Sequence, residues 1–324
     1  MQLLTPPLPD AGRLPLRVAE LTREAGDCVL LTLVHARDGT LPPSEAGAHI
    51  GLHLPNGMER QYSLLHAAAE PESYRIAVKL DPAGRGGSRY LVERVGVGDV
   101  LEADPPRNNF PLRVDADTSV LIAGGIGITP IMPMIEVLDA GQKAWTLHYA
   151  ARTRSEAPFI EVLEEDPRVR LHFDDQMGGV LGIAEIVNSA PRKAHLYCCG
   201  PGPMLAAFEA AAREARVPPD HAHVEYFTPK FARSTDGGFS VVLARTGGEV
   251  RPVKGQSILD ALRAHGLELA SSCEEGICGA CETRVLEGIP DHRDAILTER
   301  ERHENKTMFI CCSGSKTERL VLDL

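Results

Sequence analysis

Three of the eight cysteines in this 324-residue chain crowd into the stretch SSCEEGICGACETRV, residues 271–285, and a fourth stands 30 positions further on. Cys273, Cys278, Cys281 and Cys311 therefore read C-x4-C-x2-C followed by a solitary cysteine. The N-terminal segment MQLLTPPLPDAGRLPLRV has prolines where an export signal needs an apolar stretch, and no basic start. The expected compartment is the cytoplasm. Thiols stay reduced there, so a tight cysteine cluster is expected to bind metal or do chemistry, not to form disulfides.

The spacing is that of plant-type 2Fe-2S ligation, in which four thiolates complete the coordination of two sulfide-bridged irons. The loop must curl so that backbone N–H groups reach the sulfurs, and Gly276 and Gly279 supply positive φ for that. A structural zinc site also uses four thiolates, but zinc motifs usually pair cysteines at C-x2-4-C twice over. Cys312 adjoins Cys311 and either has the chemistry to ligate; spacing favours Cys311, leaving Cys312 as a small buried neighbour. Cys28, in a strand pattern, reads as core packing.

A chain of this length predicts two or three domains. Composition is that of a soluble globular protein, with no apolar run long enough to cross a bilayer. A formal net charge of -11 argues against binding a phosphate backbone. Residues 14–112 show short alternating apolar segments separated by Gly, Pro, Asn and Asp, which predicts a small antiparallel barrel, with one helix at SRYLVERV capped by Ser88. From Ser119 strands alternate with helices: SVLIAGGIGITPIMPMIEVLDAG, WTLHYAAR, APFIEVLEED, VRLHFDDQ, AHLYCCG and GPMLAAFEAAAREA predict a parallel doubly wound sheet. After VEYFTPKFARSTDGG, read as a linker, come two strands, a helix at SILDALRAHG, the cysteine loop and a last strand RLVLDL, a compact α+β domain. The expected boundaries are 1–113, 114–228, a linker 229–238, and 239–324.

Two further patterns carry chemistry. RQYS at 60–63 places Arg60, Tyr62 and Ser63 on a strand, and GRGGSRYL then leads Gly86, Gly87 and Ser88 into a helix N-terminus, whose unpaired N–H groups suit a phosphate. Arg60 offers a fixed charge and Tyr62 a flat face for an isoalloxazine ring. AGGIGITP at 123–130 lies between a buried strand and a helix, where a dinucleotide pyrophosphate would sit, although it is not G-x-G-x-x-G. YCCGPGPM closes a later strand, so that Cys199, Gly200, Pro201 and Met204 share the carboxyl edge with Gly124, Gly125, Gly127, Thr129 and Pro130. The alternative is a plain strand–helix turn.

RQYS, GGIGITP, CCGPGPM and CEEGICGAC in this order resemble the phthalate dioxygenase reductase family of the ferredoxin-NADP reductase superfamily, over nearly the whole chain. PRNNFPL, EGIPDHRD and the terminal RLVLDL are similar to reductase components of vanillate O-demethylase and related Rieske oxygenase systems. The resemblance implies an FMN-binding barrel, an NADH-binding α/β domain and a β-grasp ferredoxin domain. It implies flavin contacts at Arg60, Tyr62 and Ser63, with phosphate near Gly86, Gly87 and Ser88. It puts a nucleotide loop at Gly124, Gly125, Gly127, Thr129 and Pro130, with Gly200 and Pro201 on the facing edge. Cys199 then lies beside the nicotinamide and Phe227 is the aromatic near the flavin. FAD members carry G-x-x-S where this chain has RGGS; Arg85 in place of the glycine fits FMN and leaves FAD open. Arg152, Arg154 and Ser155 resemble a 2′-phosphate site, whereas Asp174 and Asp175 repel a phosphate, so NADH is expected with NADPH open. The implied chain runs from NADH through FMN and the 2Fe-2S cluster to a terminal Rieske oxygenase. Glu274, Glu275, Glu287, Asp291 and Asp294 read either as an acidic docking rim or as a solvated loop of ordinary charge, and His265 and His292 as surface or local structure. A general ferredoxin-type or haem-protein reductase is the nearest alternative, and a zinc-binding interaction protein the alternative of another class.

Overall fold

A computed structural model describes residues 12–324, so most of the segment read for an export signal lies outside the described residues. Two compact units make up the chain, one ending at Glu225 and the other running from Tyr226 to Leu324.

The first unit contains two sheets. Alternating apolar residues build an antiparallel one from β1 (Leu14–Arg23), β2 (Cys28–His35), β3 (His49–His53), β4 (Glu59–Ser63) and β5 (Tyr74–Lys79), then, after helix α1 (Gly87–Glu93), β6 (Val100–Ala103). Their order is β4-β3-β6-β1-β2-β5. Just past β4, Leu65 N donates to Arg75 O of β5 at 2.9 Å, which curls the sheet into a barrel. Leu16, Val18, Leu31, Leu33, Ile50, Leu52, Ile76 and Val78 fill it. Ser88 is not the cap of α1. That place belongs to Gly86 at φ 100°, a conformation costly for a residue with a Cβ, and Ser88 lies inside the first turn with its hydroxyl accepting from Asp81 N at 3.0 Å.

The second sheet begins with β7 (Thr118–Gly124), followed by α2 (Ile131–Ala140), β8 (Ala144–Ala151), α3 (Ile160–Leu163), β9 (Val169–Phe173), α4 (Asp174–Met177), α5 (Ile183–Ser189), β10 (His195–Cys199), α6 (Gly202–Glu214) and β11 (Ala222–Glu225). All its strands are parallel, in the order β11-β10-β7-β8-β9. The buried run of β7 sits in the middle, as a strand covered on both faces must. The expected 113/114 boundary falls inside this unit, between its sheets, where Phe110 meets the Tyr197 ring edge-on at 5.7 Å and Arg113 N donates to Tyr197 Oη at 2.8 Å. The APFIEVLEED helix shrinks to the single turn α3, entered through Phe159 at φ 62°, and Glu164 leaves it to pair with Arg154. Strand β11 takes up the first residues of the segment read as linker.

In the second unit β12 (Ser240–Leu243), β13 (Glu249–Val250), α7 (Ile258–Ala264), β14 (Glu282–Glu287), β15 (Pro290–Asp291), α8 (Glu299–Glu304), β16 (Thr307–Phe309), β17 (Gly314–Ser315) and β18 (Arg319–Leu322) follow. The mixed sheet β13-β12-β18-β14-β16 pairs β12 and β18 in parallel and packs on α7 through Ile258, Leu259 and Leu262. Ser257 and Asp260 close α7 with a capping box. Pro252, without an N–H, follows β13 and keeps that strand short.

Candidate functional site

At one end of the barrel Arg60 lies on β4 beside the start of α1. A Cβ built on Gly87 would stand 2.5 Å from Arg60 Nε, so only glycine lets the helix start rest on the arginine. Tyr62 is partly buried and its phenol is pushed up by desolvation, hence neutral. Ser63 is 6% exposed, yet its Oγ has no hydrogen-bond partner among the described residues; the same holds for Asn109 Nδ2. An arginine resting on a glycine helix start, together with the unspent buried polar atoms of Ser63 and Asn109 in the same unit, fits a polar, phosphorylated ring cofactor.

Along the carboxyl edge of the second sheet, β7 and β10 are neighbours, with Ala123 level with Cys199. The turns that follow them touch through backbone: a Cβ on Gly127 would meet Cys199 O at 2.3 Å, and one on Gly200 would meet Gly124 Cα at 3.1 Å. Gly125 takes φ 53°. Thr129 is buried with Oγ1 donating to Ile126 O at 2.9 Å, and Pro130 caps α2. Pro201 Cδ would stand 2.6 Å from a Cβ on Gly124. These residues converge on one glycine-lined edge at the strand ends, the usual place for a nucleotide in an open α/β sheet. The Cys199 thiol is 1% exposed and pushed well up by burial and the Glu225 charge, which leaves it neutral. Glu225, level with Cys199 on β11, was not anticipated. Its Oε2 is buried without a partner among the described residues, and desolvation pushes its carboxyl up to about 8. The only sequence signal for it was the period of AHVE, lost in the linker reading.

Beyond β8, Arg154 Nη2 pairs with Glu164 Oε2 at 2.5 Å, and Ser155 Oγ lies 3.0 Å from Thr153 Oγ1. Asp174 and Asp175 open α4 at the end of β9. Phe227 belongs to the second unit and is 38% exposed.

In that unit the cysteine loop is made of tight left-handed turns: Glu274 at φ 56°, Gly276 at φ 72° and Gly279 at φ 83°. Amide groups turn toward sulfur, Glu275 N to Cys273 Sγ at 3.3 Å and Cys273 N to Cys278 Sγ at 3.4 Å. The Cys273 thiol pairs with that of Cys278, and the Cys281 thiol with that of Cys311, which meets the Cys312 thiol as well. Within the second pair Cys281 is pushed up, while Cys311 is held down to about 4 by the Cys281 and Cys312 thiols, the Gly276 amide and the Arg233 charge. A single zinc would draw four sulfurs to about 3.8 Å from one another. Among the described residues the only potential ligand atoms gathered in threes within 4.8 Å are those of His53, Glu59 and Asp104, where the imidazole already bridges the two carboxylates. The cysteine sulfurs do not gather round a single point, which fits two irons better than one zinc. Cys312 meets the Cys311 thiol, and its Sγ also lies 3.7 Å from Phe309 O. Arg233 donates to Cys311 O at 3.0 Å and to Asp260 at 3.1 Å, tying the entering chain to the fourth cysteine.

The acidic rim needs correction. Asp294 is fully buried, accepting from Leu297 N at 2.8 Å, because it caps the turn that grips Gly276 through Ala295 N. Glu274 pairs with Arg263 at 2.6 Å and Asp291 with Arg293 at 2.8 Å. The His292 side chain is packed against buried Asp294, which makes it local structure.

Among the described residues no helix is long and apolar enough to cross a membrane. Residues 241–315 match the model of a 2Fe-2S iron-sulfur cluster binding domain. The chain is 49% identical over 311 residues to phenoxybenzoate dioxygenase subunit beta of Ectopseudomonas oleovorans, covering 95% of this chain and 97% of that one. It is 42% identical to a vanillate O-demethylase oxidoreductase of Pseudomonas sp., over 93% and 96%. Among solved structures, phthalate dioxygenase reductase matches with TM-score 0.69 and 34% identity over 97% and 98% of the chains. An intact type IV self-sufficient cytochrome P450 monooxygenase matches with TM-score 0.88 and 37% identity over 96% of this chain and 41% of that one.

Proposed function

The chain belongs to the phthalate dioxygenase reductase family and is a flavin iron–sulfur oxidoreductase, and from that premise we propose that it draws electrons from NADH through FMN and a 2Fe-2S cluster to a terminal Rieske oxygenase in the cytoplasm. The observation that carries the reading is the loop of left-handed turns that gathers Cys273, Cys278 and Cys281 with backbone amides directed at their sulfurs, Cys311 meeting Cys281 from beyond it.

When bound, the nicotinamide supplies two electrons as hydride, the flavin converts that pair to single electrons, and the cluster carries them one at a time. The chain's own residues bind and orient. Arg60, Tyr62, Ser63, Gly86, Gly87 and Ser88 hold the flavin; Arg60 supplies the fixed charge that the short α1 start alone lacks. Gly124, Gly125, Gly127, Thr129, Pro130, Gly200 and Pro201 take the nucleotide, their missing side chains giving it backbone to lie on. Cys199 acts by shape, since a buried neutral thiol is no nucleophile. FMN over FAD is supported by Arg85. NADH over NADPH is supported by Arg154 being engaged with Glu164 and by the acid pair after β9.

Cys281→Ser tests the division of labour. In the purified variant the cluster absorbance and electron delivery to an acceptor are expected to vanish while NADH still bleaches the flavin at near wild-type rate. Loss of flavin reduction in a folded variant would contradict the reading. A haem protein as acceptor is a second reading, favoured by the P450 match at TM-score 0.88; oxygen uptake with reconstituted Rieske oxygenases against haem reduction with a P450 separates the two.

A further inference from the structure

Three buried polar atoms without hydrogen-bond partners among the described residues belong to residues paired with one another in the barrel: His49 Nε2, Ser63 Oγ and Arg107 Nη1. His49 and Ser63 face each other across the β3–β4 ladder. On its other side His49 is bridged to Arg107 through backbone hydrogen bonds of 2.8 and 3.0 Å. Directly opposed residues of an antiparallel pair project to the same face, so the three side chains stand in one row. Each would be costly to bury unspent, and three such atoms side by side mark a place where a polar ligand completes them.

The chemistry of the row narrows the ligand. Arg107 is fixed through Nη2, which donates to Asp104 Oδ2 at 2.7 Å, leaving Nη1 as a donor whose charge is already balanced. His49 is 5% exposed; burial first, then the Arg107 charge, hold its imidazole down to about 4 against the pull of Asp104. At neutral pH it is therefore uncharged, with one donor and one acceptor nitrogen. A balanced guanidinium, a hydroxyl and a neutral imidazole do not suit a phosphate dianion. They suit the edge of a heterocycle in which carbonyl oxygens alternate with an N–H.

We propose that His49 is a cofactor-contact residue which, with Ser63 and Arg107, frames the hydrogen-bonding edge of the flavin ring. This rests on the reading that the barrel carries the flavin. Neither His49 nor Arg107 stood among the residues expected from sequence, although Arg107 lies in PRNNFPL.

Flavin-stripped full-length protein is titrated with FMN, following fluorescence quenching, for wild type, His49→Gln and His49→Phe; the flavin visible band and midpoint potential are recorded, and cluster absorbance and thermal unfolding report the fold. Gln keeps polar atoms at similar reach, whereas Phe keeps a planar ring and removes them. The expected result is FMN binding weakened about tenfold or more in His49→Phe, the loss of one buried hydrogen bond, with a shifted visible band and potential, and binding within about threefold of wild type in His49→Gln. A folded His49→Phe protein with wild-type affinity, band and potential overturns the proposal. If that variant does not fold, histidine-labelled wild type decides by ¹⁵N NMR: the signal missing from His49→Gln must shift when FMN is added, and an unmoved signal overturns the proposal. A wild-type protein that takes up no flavin takes down the underlying reading as well, so the two failures are told apart.

Discussion

Gly276 shows what one residue contributes. Its φ of 72° costs a non-glycine residue roughly 1–2 kcal/mol, and an added methyl would sit 2.6 Å from Cys312 Sγ and 3.0 Å from Asp294 Cα. Gly276→Ala is therefore expected to lose most of its iron and to melt earlier, as metal analysis and calorimetry would register. Glu225 gives a pH signature. Its folded carboxyl is raised to about 8 by burial, above an unfolded value of about 4.5. Between those values the folded state holds the extra proton, so this contribution to stability is present at low pH and is lost as pH rises from about 4.5 through 8. Glu225→Gln should remove that loss and melt several degrees above wild type at pH 9, at about 2–4 °C per kcal/mol, and equal slopes for the two proteins between pH 5 and 9 would refute it. At this scale the cysteines were legible because their spacing is itself the chemistry. His49, Glu225 and the buried Asp294 were not, since an acid or a histidine has no sequence mark that tells a buried position from a wet one.

Among elements, β10 and β11 carry a column of rings on one face. His195 stacks on His221 at 4.1 Å, His223 on Tyr197 at 4.4 Å, and His195 Nδ1 lies 3.0 Å from His223 Nε2. Burial, then the neighbouring His195 and Arg113, hold His223 down to about 3. Its folded pKa lies below the unfolded value of about 6.5, so its contribution is full above that value and is lost as pH falls through it toward 3. His223→Phe, which keeps the stacking, should lose less stability between pH 6.5 and 4 than wild type in urea titrations. A variant with an equally steep acid limb would contradict this. The long periodic elements, β7 and α6 above all, could be read from sequence, because burial on both faces or one stripe leaves a strong pattern. Strand β11 and the one-turn α3 could not: four residues do not establish a period, and a positive φ at Phe159 has no signal in its side chain. Helix α8 did have one, the Thr298–Glu301 capping box, which went unread.

For the whole molecule, the three larger sheets and their order along the chain follow from sequence, yet the division into units does not. What joins the first two sheets is Phe110 on Tyr197 and Phe159 N on Glu24 Oε1, contacts between residues 87 and 135 positions apart that no local pattern announces. The tether has its own consequence. Arg233 reaches at once to the carbonyl of Cys311 and to the carboxylate that caps α7. Iron occupancy and the order of residues 226–238 are thereby linked, and a chain stripped of its cluster by chelation should be cut by trypsin at Lys230 or Arg233 many times faster than the loaded one, while equal cutting would break the link. A cell that degrades by the same rule would clear copies that accept hydride but have nowhere to send the electrons, before they spill them onto oxygen.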